Sequence, residues 1–94
     1  MAHRVIWTSS ANANLDAIAA YISADSPAYA RNVVKKLSSI TNILSHFPNS
    51  GRQVPEFQDP AIRELLAYSY RIIYTIMGNE VFILTIIHGK RNLV

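Results

Sequence analysis

The stretch Tyr70-Arg71-Ile72-Ile73-Tyr74-Thr75-Ile76-Met77-Gly78-Asn79-Glu80-Val81-Phe82-Ile83-Leu84-Thr85-Ile86-Ile87-His88 decides the fold. Two runs rich in Ile, Tyr, Val, Phe and Thr flank Gly78-Asn79, a two-residue turn that tolerates positive φ. The segment therefore predicts a β-hairpin, with strands at Tyr70 to Met77 and Glu80 to His88. Both runs are apolar at both parities, so the hairpin needs cover on two faces or a partner. It does not read as a bilayer span, because Gly78-Asn79-Glu80 interrupts the apolar region well short of the roughly 18 unbroken residues required.

Toward the N-terminus, Ile62 to Tyr68 carries the same strand composition. Pro48-Asn49-Ser50-Gly51-Arg52-Gln53-Val54-Pro55 precedes it as a loop, closed by Gln58-Asp59-Pro60. At Phe47-Pro48 the periodicity changes. Leu15, Ile18, Ala19 and Ile22 recur at i, i+3, i+4 and i+7, one stripe of a helix of about four turns, behind Ser9 and Ser10 as candidate caps. Asp25-Ser26-Pro27 stops the chain and restarts it, since serine caps a helix and proline is tolerated in its first turn. Ala30, Val33, Leu37, Ile40, Leu44 and Phe47 then alternate in spacings of three and four, a narrow seam suited to a neighbouring helix. Residues 10–47 thus predict an antiparallel helical hairpin. His3 to Thr8 alternates loosely and predicts a short first strand, with Trp7 as a core anchor. The order β-α-α-β-β-β gives an α+β fold, a helical hairpin packed on a twisted, mainly antiparallel sheet. Residues 1–94 are expected to form one domain.

Half of the 94 residues are hydrophobic and 16% are charged, which excludes a disordered or low-complexity chain. Zero cysteines remove disulfide frameworks, thiolate nucleophiles and zinc fingers together and fit a reducing compartment. Met-Ala-His-Arg is followed by no long apolar stretch, so no signal or transit peptide is read and a cytoplasmic location is expected. His3, His46 and His88 lie far apart without carboxylates at metal-ligand spacing, and no glycine-rich phosphate loop occurs. Neither metal nor cofactor is expected. The net charge of +3 suits an anionic partner.

The informative cations come late: Arg52, Arg63, Arg71, Lys90 and Arg91, with His88 beside them. Guanidinium groups converging on one concave sheet would bind or strain a nucleic-acid backbone. Dispersed, they are ordinary strand charges, Arg63 beside Glu64 and Arg71 near Glu80. A turn after Tyr68 with an odd number of residues would put Arg63 and Arg71 on one sheet face, and an even number would separate them. His88 is a candidate acid or base and equally a hydrogen-bonded group at a strand end. Asp16 reads as a solvated helix charge.

Taken in order, Ile6-Trp7-Thr8, the helix positions Ala13, Asp16, Ala19 and Tyr21, Phe47-Pro48-x-x-Gly51-Arg52, Ile62-Arg63-Glu64-Leu65, Tyr70-Arg71-Ile72-Ile73-Tyr74 and His88-Gly89-Lys90-Arg91 resemble the RelE/ParE superfamily of toxins from type II toxin–antitoxin systems. The resemblance spans nearly the whole chain. It implies two helices on a twisted antiparallel sheet and an acidic, ParD-like antitoxin that wraps the toxin. RelE-like members cut messenger RNA on the ribosome, whereas ParE-like members poison DNA gyrase. Arg71 and Arg91 match two RelE-like arginines, but Glu64-Leu65-Leu66-Ala67-Tyr68-Ser69 lacks that branch's lysine pair. Three residues after Arg91 leave no room for its terminal helix and tyrosine. Ile62-Arg63-Glu64-Leu65-Leu66 looks ParE-like. The resemblance therefore implies a gyrase inhibitor, with Arg52, Arg63, Arg71, Lys90 and Arg91 toward partners and no catalytic residue. One alternative is a nuclease using Arg71, Arg91 and His88, the one reading in which nucleic acid is bound directly; another is a non-toxic antitoxin-binding module.

Overall fold

The computed structural model describes residues 2–90. Its elements are β1 (Arg4–Trp7), α1 (Ser9–Ser23), α2 (Pro27–Ile40), a 3₁₀ segment (Thr41–Ser45), β2 (Arg52–Gln53), β3 (Ile62–Ala67), β4 (Tyr70–Met77) and β5 (Glu80–His88). The five strands lie in the order β1-β5-β4-β3-β2. Every pairing is antiparallel except β1 with β5, which run parallel with Arg4 opposite Glu80 and Trp7 opposite Ile83. The α+β fold expected from the sequence is therefore present, and the central hairpin turns at Gly78-Asn79 with Gly78 at φ +61°. Glycine meets no steric penalty there.

Local chemistry explains how the helices attach to this sheet. Thr8, one residue before the serines expected to cap α1, is the N-cap, and its Oγ1 accepts from the Ala11 N–H at 3.1 Å. The same hydroxyl lies 2.8 Å from the Ile83 carbonyl and 3.2 Å from that of Leu84, so it joins the helix start to β5. One turn on, Asn14 Oδ1 accepts from the Ile86 N–H at 3.1 Å and the Thr85 hydroxyl at 2.7 Å. Since β1 pairs no farther than Ile83, Asn14 satisfies a strand amide that would otherwise lack a ladder partner. Ser26 caps α2 and Pro27 opens it, as expected.

The seam of α2 buries Ala30, Val33, Leu37 and, in the 3₁₀ segment, Leu44. Phe47 departs from the expected seam and is 63% exposed. The change to three residues per turn after Ile40 rotates later positions off the helix stripe, and the Thr41 hydroxyl bonds the Ser38 carbonyl at 2.8 Å as the chain tightens. The expected loop before β3 also holds a two-residue edge strand, β2, paired with β3.

Ala11, Val33, Leu37 and Leu44 meet Ala67, Ile72, Tyr74, Val81, Ile83 and Ile86 from one sheet face. Each large aliphatic side chain removed from water there contributes about 1.5–3 kcal/mol. Trp7, Leu15 and Ile18 pack around this core while remaining partly exposed. Tyr74 also reaches past the core to fix the 48–51 turn. Its hydroxyl donates to the Pro48 carbonyl at 2.7 Å and accepts from the Gly51 N–H at 2.9 Å, while Arg63 Nη1 donates to the Gly51 carbonyl at 2.9 Å. Gly51 is confined by this arrangement: a Cβ there would lie 2.5 Å from the Glu64 carbonyl oxygen and 2.6 Å from the Tyr74 hydroxyl.

Two expectations follow from the Tyr74 contacts. Gly51→Ala must displace backbone or a buried ring, so urea unfolding is expected to give a loss of about 1–3 kcal/mol. Burial pushes the Tyr74 hydroxyl above its ordinary value of 10.0, although the Gly51 bond and the Arg63 charge pull the other way. The native state then retains a proton that the unfolded chain releases. Stability is full below about pH 10 and falls as pH rises through the folded value. Tyr74→Phe is expected to flatten the decline of stability above pH 10, measured by denaturant titration at successive pH values; an unchanged slope would exclude Tyr74 as its source.

Candidate partner-binding site

The β3–β4 register separates the late cations. Arg63 lies opposite Tyr74, whereas Glu64 lies opposite Ile73 and Leu66 opposite Arg71. The loop between Ala67 and Tyr70 contains two residues, an even number, so Arg63 and Arg71 occupy different faces. Arg52 lies opposite Glu64 and shares the face of Arg71.

On that face Arg71 is enclosed by carboxylates. Its Nε donates to Glu64 Oε1 at 2.7 Å, while Nη1 and Nη2 donate to Glu56 Oε2 and Oε1 at 2.8 and 2.7 Å, a bidentate fork. Arg52 Nε donates to the second oxygen of Glu64 at 2.5 Å. The Arg71 side chain is 6% exposed and that of Glu64 0%. The Glu56 hydrogen bonds first, then those and the charge of Glu64, hold the guanidinium above its already high proton affinity, against the opposing effect of burial. Glu80, the carboxylate expected near Arg71, instead faces Arg4 at the exposed β1–β5 end. Glu56 was not legible as a partner, because it reaches Arg71 from the loop before β3 and no strand spacing encodes that approach. Glu64 left a trace as a carboxylate inside a strand whose following residues, Leu65 to Ala67, are apolar.

The other candidates are differently placed. Arg63 lies behind the sheet against the Gly51 carbonyl. His88 lies opposite Tyr70 while Arg71 lies opposite Ile87, so the two project to opposite faces. They approach at the end of the sheet, where both line a cavity of about 290 Å³ with Arg52, Tyr68, Tyr70 and Lys90. His88 is exposed and its ring stands edge-on to Tyr70 at 6.0 Å. Lys90 is exposed beside them. Arg91 lies outside the described residues.

A second cavity, about 560 Å³, opens between the helical hairpin and the ends of β4 and β5. Ile18, Ile22, Val33, Ile86 and Ile87 give it an apolar wall, and Tyr21, Tyr29 and Tyr68 stand at it 82%, 50% and 53% exposed. Tyr29 and Tyr68 were not singled out by the sequence, and Tyr21 entered only as a helix position of the family resemblance; the three fall at no shared spacing. The hairpin and the helices bring them together. Among the described residues no group of His, Asp and Glu is placed to hold a metal, and no helix is long and apolar enough to cross a membrane.

Comparison with known proteins agrees with this fold. A protein of Sinorhizobium fredii assigned as a toxin, Y4kP, is 37% identical over 90 residues, covering 94% of this chain and 90% of that protein. A structure of the chromosomal ParDE system from P. aeruginosa superposes with a TM-score of 0.77 and 26% identity, over 94% of this chain and 97% of the other. The toxin–antitoxin complex RelBE2 from Mycobacterium tuberculosis has the same fold, at a TM-score of 0.68 and 18% identity over 94% and 99% of the two chains. The family model described as the ParE toxin of type II toxin–antitoxin systems, parDE, matches residues 5–93, and the chain belongs to that family.

Proposed function

We propose that this toxin inhibits DNA gyrase by binding it, cuts no bond itself, and is neutralised in the cytoplasm by a cognate acidic, ParD-like antitoxin. The commitment of Arg71 carries this reading. A nuclease needs preorganised donors aimed at the charge developing on phosphate. All three guanidinium nitrogens of Arg71 aim instead at Glu56 and Glu64. The proton-transfer candidate His88 projects to the other sheet face and nears Arg71 only at the cavity on the sheet end, where the guanidinium is turned to its carboxylates. What remains open to a partner is the surface around Arg52, Lys90 and the exposed tyrosines, with Arg91 expected to add to it. An apolar and cationic surface of this kind suits protein recognition.

Induction of the chain is expected to arrest growth. Purified gyrase should lose supercoiling activity or accumulate cleaved DNA complexes, while ribosome-bound messages stay intact. His88→Gln should leave these effects nearly unchanged. Arg91→Ala should cost binding energy of about 1–3 kcal/mol, the range for a lost charged contact. Arg71→Ala exposes no catalytic role but removes the guanidinium that bridges the buried Glu64 and the loop carboxylate Glu56, an expected stability loss of about 3–5 kcal/mol read by thermal unfolding. Codon-specific cuts in ribosome-bound messages, with gyrase unaffected, would replace this reading by the nuclease.

A further inference from the structure

The arginines of the sheet are committed to partners within the chain, but α2 carries cations that are not. Arg4 pairs with Glu80, Arg52 with Glu64, and Arg71 with Glu56 and Glu64, while Arg63 bonds the Gly51 carbonyl. Arg31, Lys35 and Lys36 are exposed, and among the described residues none of their side chains has an ion pair or a hydrogen bond. All three fall within about two turns of one helix. Arg31 and Lys35 stand at i and i+4, where like charges repel and weaken a helix, and Lys36 adds a third positive charge beside them. The stability of α2 therefore gives no reason for the cluster.

Its position supplies one. A crevice of about 450 Å³ opens between α1 and α2, and none of its lining residues comes from the sheet. Ala19, Ala20, Pro27, Ala30 and Val34 give it an apolar floor with the single hydroxyl of Ser23, and Arg31 and Lys35 stand along its α2 side. No carboxylate lines it. The crevice shares no lining residue with the tyrosine-walled cavity or with the cavity at the end of the sheet, so it is a separate surface. Its chemistry selects an occupant. A floor with one hydroxyl offers almost nothing to a nucleic-acid backbone, whereas a protein segment can bury aliphatic side chains there. Unneutralised cations along one flank favour a segment that carries carboxylates on that side.

Resting on the gyrase reading above, we propose that the α1–α2 crevice is the surface with which the toxin grips its target, and that it takes an acidic segment of that protein. The segment lays aliphatic side chains against Ala20 and Val34 and turns its carboxylates to Arg31, Lys35 and Lys36. The cations speed encounter and fix the direction in which the segment lies. The short side chains of the floor let its backbone approach the two helices closely, which sets the depth of the contact. Inhibition then uses a face of the helical hairpin that points away from the sheet.

The test uses the full chain, purified gyrase with relaxed plasmid, and the full-length product of the reading frame adjoining the toxin's gene. The triple variant Arg31→Gln, Lys35→Gln, Lys36→Gln is expected to melt no lower than the wild type, since repulsion within α2 is removed. It should need at least tenfold more protein for half-inhibition of supercoiling, and its inhibition should depend less on salt. Ala20→Gln changes no charge and sits at an exposed helix position that accepts glutamine, yet it should also weaken inhibition by obstructing the floor. Release of the antitoxin, followed by surface plasmon resonance, should be unchanged in both variants. If the folded triple variant inhibits gyrase as the wild type does, the proposal fails while the gyrase reading stands. If the wild type leaves gyrase unaffected, the gyrase reading fails and the proposal with it. Two further outcomes overturn it by naming another occupant: faster antitoxin release from the triple variant with gyrase inhibition intact indicates the antitoxin, and loss of binding to linear duplex DNA without gyrase, with Ala20→Gln fully inhibitory, indicates nucleic acid.

Discussion

The guanidinium of Arg71, held between Glu56 and Glu64 beneath the surface of the sheet, is the constraint on which this side of the molecule depends. A buried ion pair adds little net stability when compared with well-packed hydrophobic side chains, because desolvation opposes the attraction. Its effect here is positional. Glu64 is fixed by its strand, and Arg71 by the next strand; Glu56 comes from the loop between β2 and β3. Neutralising two carboxylates requires that loop to lie across the sheet, and it supplies part of the cover that the doubly apolar β4 needs. The helices supply the rest from the opposite face.

The same arrangement assigns different work to chemically similar residues. Arg71 is internal, Arg63 bonds the Gly51 carbonyl, Arg52 is divided between Glu64 and solvent, and Lys90 faces outward. A count of basic residues in this chain therefore overstates the charge a partner meets. The accessible part of the sheet's charge is smaller and lies beside aromatic surface. Such a surface resembles the centre and rim of a protein interface more than the cationic track that binds nucleic-acid backbone.

Elements governed by local periodicity were legible in the sequence. The β4–β5 hairpin followed from strand-forming runs around Gly78-Asn79, and Ser26-Pro27 opened α2 where expected. Phe47 was misplaced because a helix stripe was continued through a segment that tightens to 3₁₀ geometry. The parity of the turn after Tyr68 was identified as the quantity that decides the facing of Arg63 and Arg71, but only pairing of β3 with β4 supplies its value. The exposed tyrosines and the Glu56 clamp were hidden for a common reason. Each depends on contacts between segments distant in sequence, and composition carries no record of them.

The parallel pairing of β1 with β5 also imposes an order in time. Arg4 lies opposite Glu80, 76 positions later, so β1 emerges during synthesis long before the strand that receives it. The helical hairpin and the β3–β4 pair are local and can form while β1 waits. Sheet completion is therefore a late event, requiring closure of a loop that contains almost all of the other elements. Until then the edge of β5 and the groove beside α1 lack their final shape. A newly made toxin consequently acquires its complete sheet as one of the last steps of folding.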